Sequence, residues 1–141
     1  MRGTERRNDE SLNRILGLVG SECREIVSLR YIDLVSKVKT SSLDELRDLI
    51  SKFSALSNYT RLQIIEVLSQ VGEPLPQCII AALVGKEPQA ITYHLRMLRE
   101  SGILGEVRRG RFSYYTINTE EIRKLIRFLS KIASTSTPNL I

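Results

Sequence analysis

Gln89, Thr92, Tyr93 and Arg96 fall at positions i, i+3, i+4 and i+7, so on a helix they project from one side. Gln and Arg are the side chains able to make paired hydrogen bonds to the edges of adenine and guanine, and Thr and Tyr reach either bases or phosphates. Twelve residues further on, Arg108, Arg109 and Arg111 surround Gly110. Guanidinium groups gathered at a narrow tip suit phosphate or minor-groove contact. Lys86 lies just ahead of the first set. From Lys86 to Tyr115 there are six basic residues against three acidic ones, so +3 of the chain's net +5 sits on one short stretch. The plain alternatives are a solvated polar helix face and a hairpin tip guarded by charge; an aromatic such as Tyr93 is costly to expose without a purpose.

The elements that would position these residues can be read around them. Ile91, Leu95 and Leu98 must face a core if Gln89 and Arg96 face out, and Pro88 and Gly102 suit the start and end of a helix over 88–101. A short helix over 77–84 stops at Gly85. Between Leu104 and Ile117 the period changes to two, with Arg109-Gly110 mid-run, which predicts a hairpin. Upstream, Ser42 and Glu45 form a capping box for a helix to about Leu56, with Leu43, Leu46, Leu49, Ile50 and Phe53 on one face. Asn58 caps a further helix over about 59–71 that ends at Gly72, and Pro74-Leu75-Pro76 is extended. Downstream, Asn118 with Glu121 predicts a second capping box. The helix it opens carries Ile122, Leu125, Ile126, Leu129 and Ile132 on one side. The expected core of this unit is Leu62, Ile65, Leu68, Leu83, Ile91, Leu95 and Leu98.

A short helix, a tight turn, a longer helix and a hairpin form the winged helix-turn-helix plan. The expected fold class is mainly α with a small β-hairpin wing (α+β), with an added N-terminal helical extension and a C-terminal helix. The expected domains are an extension over 1–41, a winged unit with that last helix over 42–132, and a disordered tail over 133–141. In the extension, Leu12, Ile15, Leu16, Val19, Cys23, Ile26, Val27 and Leu34 recur at helical spacing. That stripe either covers the protein's own core or enlarges a contact with a second subunit.

The 141 residues suffice for one domain with a proper core. At 42% apolar and 26% charged the chain is ordinary globular material, and its positive balance favours polyanionic partners. No run of eighteen apolar residues exists and the N-terminus lacks a signal-peptide core, so the expectation is a cytoplasmic protein without membrane contact. With no Ser/His/Asp set, no Gly-rich phosphate loop and a single histidine, no enzyme is expected, and no cofactor. Cys23 and Cys78 are the only cysteines, spaced for neither zinc nor a disulfide framework; as a redox pair they would need Cα atoms within about 7 Å.

Three stretches then resemble one family. Residues Ala55-Leu56-Ser57-Asn58-Tyr59-Thr60-Arg61-Leu62-Gln63-Ile64-Ile65 are similar to its Leu-Ser-Asp-Pro-Thr-Arg-Leu opening. The run from Ile91-Thr92-Tyr93-His94-Leu95-Arg96 to Gly102-Ile103-Leu104 is similar to its recognition-helix signature, and Gly110-Arg111-Phe112-Ser113-Tyr114-Tyr115-Thr116-Ile117 to its wing. In that order they resemble the ArsR (ArsR/SmtB-like) winged-helix repressors over about 43–132. The resemblance implies a homodimer that binds a palindromic double-stranded DNA operator and leaves it on an inducing signal. It also implies that the first and last helices, with Ile122, Leu125, Ile126, Leu129 and Ile132, pair across the dimer. The rival reading is a winged-helix module for protein–protein contact.

The chain departs from the pattern at informative places. Asn58-Tyr59 replaces Asp-Pro, and Asn still caps. Where arsenic-sensing members carry paired cysteines, this chain has Pro76-Gln77-Cys78 and keeps only the second; the final helix has no His and no Asp-x-His spacing. Too few soft ligands remain for either family metal site, so no metal is expected. His94, the only histidine, reads as an N–H donor packed near the turn.

Overall fold

Ser42 opens the first helix of the winged unit with both halves of its capping box formed: Glu45 N–H donates to Ser42 Oγ at 3.2 Å and Ser42 N–H to Glu45 Oε2 at 2.8 Å. The structure is a computed structural model that describes residues 36–135 continuously, and before them Asn13, Arg14, Gly17, Leu18, Asp33 and Leu34. The chain divides into two compact units, Met1–Ser41 and Ser42–Ile141. In the first, Asn13, Arg14, Gly17, Leu18, Asp33, Leu34 and Ser36 are helical. Leu12, Ile15, Leu16, Val19, Cys23, Ile26 and Val27 lie outside the described residues, as do 136–141.

The second unit runs α1 (Leu43–Leu56), α2 (Tyr59–Val71), β1 (Leu75–Pro76), α3 (Gln77–Leu83), a 3-10 turn (Pro88–Ile91), α4 (Thr92–Glu100), β2 (Leu104–Arg109), β3 (Phe112–Ile117) and α5 (Thr119–Ala133). The Asn58 side chain caps α2 by accepting from Arg61 N–H at 3.1 Å, as expected. The predicted helix over 88–101 begins one turn later as a true α-helix. Pro88–Ile91 winds as a 3-10 turn closed by Ala90 N–H to Glu87 C=O at 3.0 Å, a common tightening at helix ends. The extended Pro74–Pro76 segment adds an unexpected third strand. The sheet order is β1-β3-β2, antiparallel throughout, with Leu75 opposite Tyr115 and Leu104 opposite Ile117. Pro76 is tolerated because β1 is an edge.

Two expectations about packing need correction. Leu62 and Leu83 are 52% and 53% exposed, whereas Ile64 and Ile80 are fully buried. The buried face of α2 is Thr60, Ile64 and Leu68, an i, i+4, i+8 stripe one step round from the predicted Leu62, Ile65 and Leu68. Ile65 packs on the core only in part, while Leu68, Ile91, Leu95 and Leu98 are buried as expected.

The second correction concerns the start of α5. Asn118 makes no side-chain cap, and its N–H instead donates to Ile103 C=O at 2.8 Å. Glu121, expected to complete that cap, turns to α1: its Oε2 lies 2.8 Å from the Lys52 ammonium, whose side chain is only 2% exposed. Asp48 holds the same ammonium at 2.6 Å. Burial disfavours the Lys52 charge, yet the hydrogen bonds it donates to Asp48 and Glu121 outweigh it and raise its pKa. Beside this cluster Phe53 and Phe128 meet edge to face at 6.3 Å.

The core assignment has a direct check. Ile64→Ala should cost about 2–5 kcal/mol of unfolding free energy in urea titrations, the range for emptying a closed core site. Leu62→Ala should cost less than half of that, because its side chain is already half in water.

Candidate nucleic-acid interface

The outer face of α4 follows from its inner one. Ile91, Leu95 and Leu98 are buried to 1% exposure or less, which leaves Thr92, Tyr93 and Arg96 on the solvent side, with Gln89 just before them on the 3-10 turn. All eight predicted contact residues (Lys86, Gln89, Thr92, Tyr93, Arg96, Arg108, Arg109 and Arg111) are exposed. Among the described residues, none of Arg96, Arg108, Arg109 and Arg111 takes part in an ion pair. The Arg96 guanidinium lies over the Tyr93 ring at 5.4 Å, so these two act as one cationic, flat surface.

The wing is set by one glycine. Gly110 has φ +64 as the first of two loop residues, with Arg109 opposite Phe112, and no other residue type among those described has positive φ. That fits the type II′ turn, whose twist matches the flanking strands. Arg109 stacks over Tyr114 at 5.4 Å and Arg111 over Phe112 at 5.7 Å. Arg99 belongs to neither group: its guanidinium donates to Glu106 at 2.6 Å and ties α4 to β2. Hydrogen bonds from Ser113 and Arg99 hold the Glu106 carboxyl below the usual range.

Two residues that support this face escaped the sequence reading. Gln77 Nε2 donates to Pro88 C=O and to Thr92 Oγ1, each at 2.7 Å, fixing the entry to α4. The partners lie 11 and 15 positions away, so no local pattern marks them. Arg61, within the Thr-Arg-Leu run, donates to Ala55 C=O at 2.6 Å and meets His94 Nδ1 at 3.2 Å. A guanidinium only donates, so Nδ1 accepts and the ring proton sits on Nε2. His94 therefore accepts from Arg61 at Nδ1 and keeps its N–H donor on the other ring nitrogen. Burial, then Arg61, then Lys86 lower its pKa.

The remaining predicted sites divide. On α5, Ile126, Leu129 and Ile132 are 50–57% exposed and Ile122 is half-buried, but Leu125 is buried at 5% within its own chain. It departs from the expected partner-facing set because α5 turns that side toward α1. Cys78 is exposed and reduced, on a cleft of about 330 Å³ shared with Gln77, Arg111 and Tyr115; its proposed redox partner Cys23 lies outside the described residues. Among the described residues no three His, Cys, Asp or Glu side chains gather as metal ligands would, and no helix is long and apolar enough to cross a membrane.

Comparison with known proteins gives a consistent picture. Residues 58–105 match the profile of bacterial regulatory proteins of the arsR family. The arsenical resistance operon repressor of Bacillus subtilis is 31% identical over 81 residues, 57% of this chain and 76% of that protein. A cadmium resistance transcriptional regulatory protein (a CadC homolog) of Staphylococcus aureus is 34% identical over 79 residues, 56% of this chain and 64% of that protein's own length. Among solved structures, an ArsR-like transcriptional regulator from a Rhodococcus species superposes with TM-score 0.58 at 29% identity, covering 65% of this chain and 85% of that one. A homodimeric winged helix-turn-helix DNA-binding domain from Mycobacterium bovis does so with TM-score 0.53 at 25% identity, covering 68% and 90%.

The Arg61–His94 contact predicts a pH dependence of stability. With the folded-state pKa lowered, the unfolded chain binds the proton first as pH falls below the ordinary value of about 6.5. Stability should be complete above that value and decline as pH drops through the window down to the folded pKa. Urea midpoints measured from pH 7.5 to 5 should show this slope, and His94→Asn should flatten it; an unchanged slope would remove His94 as its source.

Proposed function

The chain belongs to the ArsR family of bacterial regulatory proteins, and on that premise we propose that it is a homodimeric, sequence-specific repressor that binds a palindromic operator in double-stranded DNA. The observation that carries this reading is the exposed face of α4, with its donors and acceptors free of ion pairs, next to a wing whose three arginines point no charge inward. In the division of labour that follows, Gln89, Thr92, Tyr93 and Arg96 read base edges in the major groove, while Lys86, Arg108, Arg109 and Arg111 neutralise phosphates. The protein acts by binding, not by catalysis, and its place of work is the cytoplasm, where the DNA is.

The dimer is built from what α1 and α5 leave in water. Leu43 and Ile50 on α1, and Ile126, Leu129 and Ile132 on α5, are each at least half exposed. Full burial of such a side chain is worth about 1.5–3 kcal/mol. The Mycobacterium bovis domain is described as homodimeric. A two-fold pair would set two α4 helices into successive major grooves about 34–36 Å apart.

Release from DNA is assigned to a signal other than a transition metal held at the family's cysteine or last-helix sites. Cys78 is a single thiolate there, α5 offers carboxylates without an imidazole, and the Nδ1 of the chain's one histidine is engaged by Arg61.

Two outcomes test this reading. In titrations of a duplex selected from the protein's own genome against a scrambled duplex, Arg96→Ala should erode the preference by about 1–3 kcal/mol, whereas Arg109→Ala should weaken both duplexes alike. Equal weakening by Arg96→Ala would remove α4 as the reading element. Separately, Leu129→Glu with Ile132→Glu should give monomers in sedimentation equilibrium and lose operator affinity with the DNA-facing residues intact; a parent that is monomeric at micromolar concentration would overturn the palindrome.

A further inference from the structure

The ion cluster around Lys52 joins α1 to α5. Lys52 and Asp48 lie one turn apart on α1, so their 2.6 Å pair constrains only that helix, and Asp48 reaches α5 only through the half-exposed Lys124 ammonium at 3.8 Å, a solvated contact worth little. Glu121 is different, because it comes from α5. Its two carboxylate oxygens are held separately, Oε2 by Lys52 at 2.8 Å and Oε1 by Lys124 at 3.0 Å. A side chain held at both oxygens has little freedom to turn.

The stem of that side chain lies over the end of the recognition helix. A Cβ placed on Gly102, where φ is +84, would sit 3.6 Å from Glu121 Cγ and 3.8 Å from Cδ. Asn118 N–H, three residues ahead of Glu121, donates to Ile103 C=O at 2.8 Å. Thus the first turn of α5 rests on the residues that terminate α4, while its carboxylate is anchored in α1. An apolar contact between α1 and α5 would tolerate small sliding. A buried ammonium does not, since only one arrangement keeps it paired and any other leaves a charge unsatisfied in the interior.

We propose that Lys52 and Glu121 are positioning residues for DNA recognition: their buried pair fixes the angle between the recognition helix α4 and the α1/α5 helices, through the seat of Glu121 on Gly102. This rests on the reading of the chain as a DNA-binding dimer in which α1 and α5 face the second copy. The pair then sets how far apart, and at what tilt, the two recognition helices are presented. It contributes to operator choice without touching DNA.

The test compares two variants that each take one carboxylate from Lys52. Asp48→Asn removes the partner within α1 together with the long, solvated contact to Lys124, and Glu121→Gln removes the buried link to α5. Both should lower the urea midpoint, and both should remain dimers in sedimentation equilibrium. The discriminating readout is the ratio of affinities for the genomic duplex and for a scrambled duplex of equal length. Glu121→Gln should reduce that ratio by about tenfold, in the range of couplings between distant sites, with scrambled-duplex affinity little changed. Asp48→Asn should leave the ratio within about twofold, because the buried Lys52–Glu121 link and the seat of Glu121 on Gly102 remain in place. Lys52→Met with Glu121→Leu, which swaps the pair for apolar groups and leaves only the half-exposed Asp48 and Lys124 charged, should fold and show the same loss of ratio as Glu121→Gln. A ratio unchanged in both Glu121 variants, or reduced equally by Asp48→Asn, overturns the positioning role and leaves the DNA-binding reading standing. A parent with no preference between the duplexes overturns that reading, and the positioning role with it.

Discussion

The guanidinium of Arg61 is held in common by three segments of the winged unit. One nitrogen donates to Ala55 C=O at 2.6 Å, at the end of α1, where the last carbonyls of a helix lack partners of their own. Another meets His94 Nδ1 at 3.2 Å on α4. The residue itself stands in the first turn of α2, and its own N–H is taken by the Asn58 cap. One planar, permanently charged group thereby ties the end of α1, the start of α2 and the first turns of the recognition helix. A lysine in its place would offer a point charge without the fork that reaches both acceptors. The buried Ile64 and Leu68 of α2 and the buried Leu95 and Leu98 of α4 are consistent with that register.

On this frame the exposed side chains of α4 and the wing are held by neighbours within the free chain. Gln77 holds Thr92, Tyr93 carries Arg96, and Tyr114 and Phe112 carry Arg109 and Arg111. Long cationic side chains lose rotamer freedom on binding, at about 0.5–1.5 kcal/mol each. Stacking on a neighbouring ring bears part of that loss in the free protein. Arg99 shows the contrasting use of the same residue type, since Glu106 neutralises it to brace α4 against the wing.

Much of this fold was legible because its signals are local. The Ser42–Glu45 box, the Asn58 cap, Gly72, Gly85, Gly102 and the Gly110 turn all lie where the sequence places them. Gly110 and Gly102 in particular require a left-handed backbone that few other residues adopt. Patterns became ambiguous where several apolar residues follow one another: Leu62, Ile64 and Ile65 offer two helical stripes, and only the packing of α4 and β3 on α2 selects the one through Ile64. Asn118 and Glu121 satisfy a capping-box spacing, yet a buried lysine 69 positions upstream of Glu121 outbids the cap. Arg61–His94, Gln77–Thr92 and the burial of Leu125 likewise depend on partners far away in sequence. The exposed faces of α4 and the wing were readable because exposure follows from the neighbouring apolar residues, whereas the supports beneath them were not.

The order β1-β3-β2 also bears on how copies of this protein behave when crowded. A sheet with a long open margin invites strands from other chains. Here one margin is a two-residue strand containing Pro76, which has no N–H to offer. The other is β2, where Glu106, Arg108 and Arg109 interrupt the apolar residues with charge of both signs. Neither margin is a template for a growing ladder. Neighbouring copies brought close on one stretch of DNA can therefore stand side by side without their wings fusing into a common sheet, although Val107 and Phe112 are about half exposed.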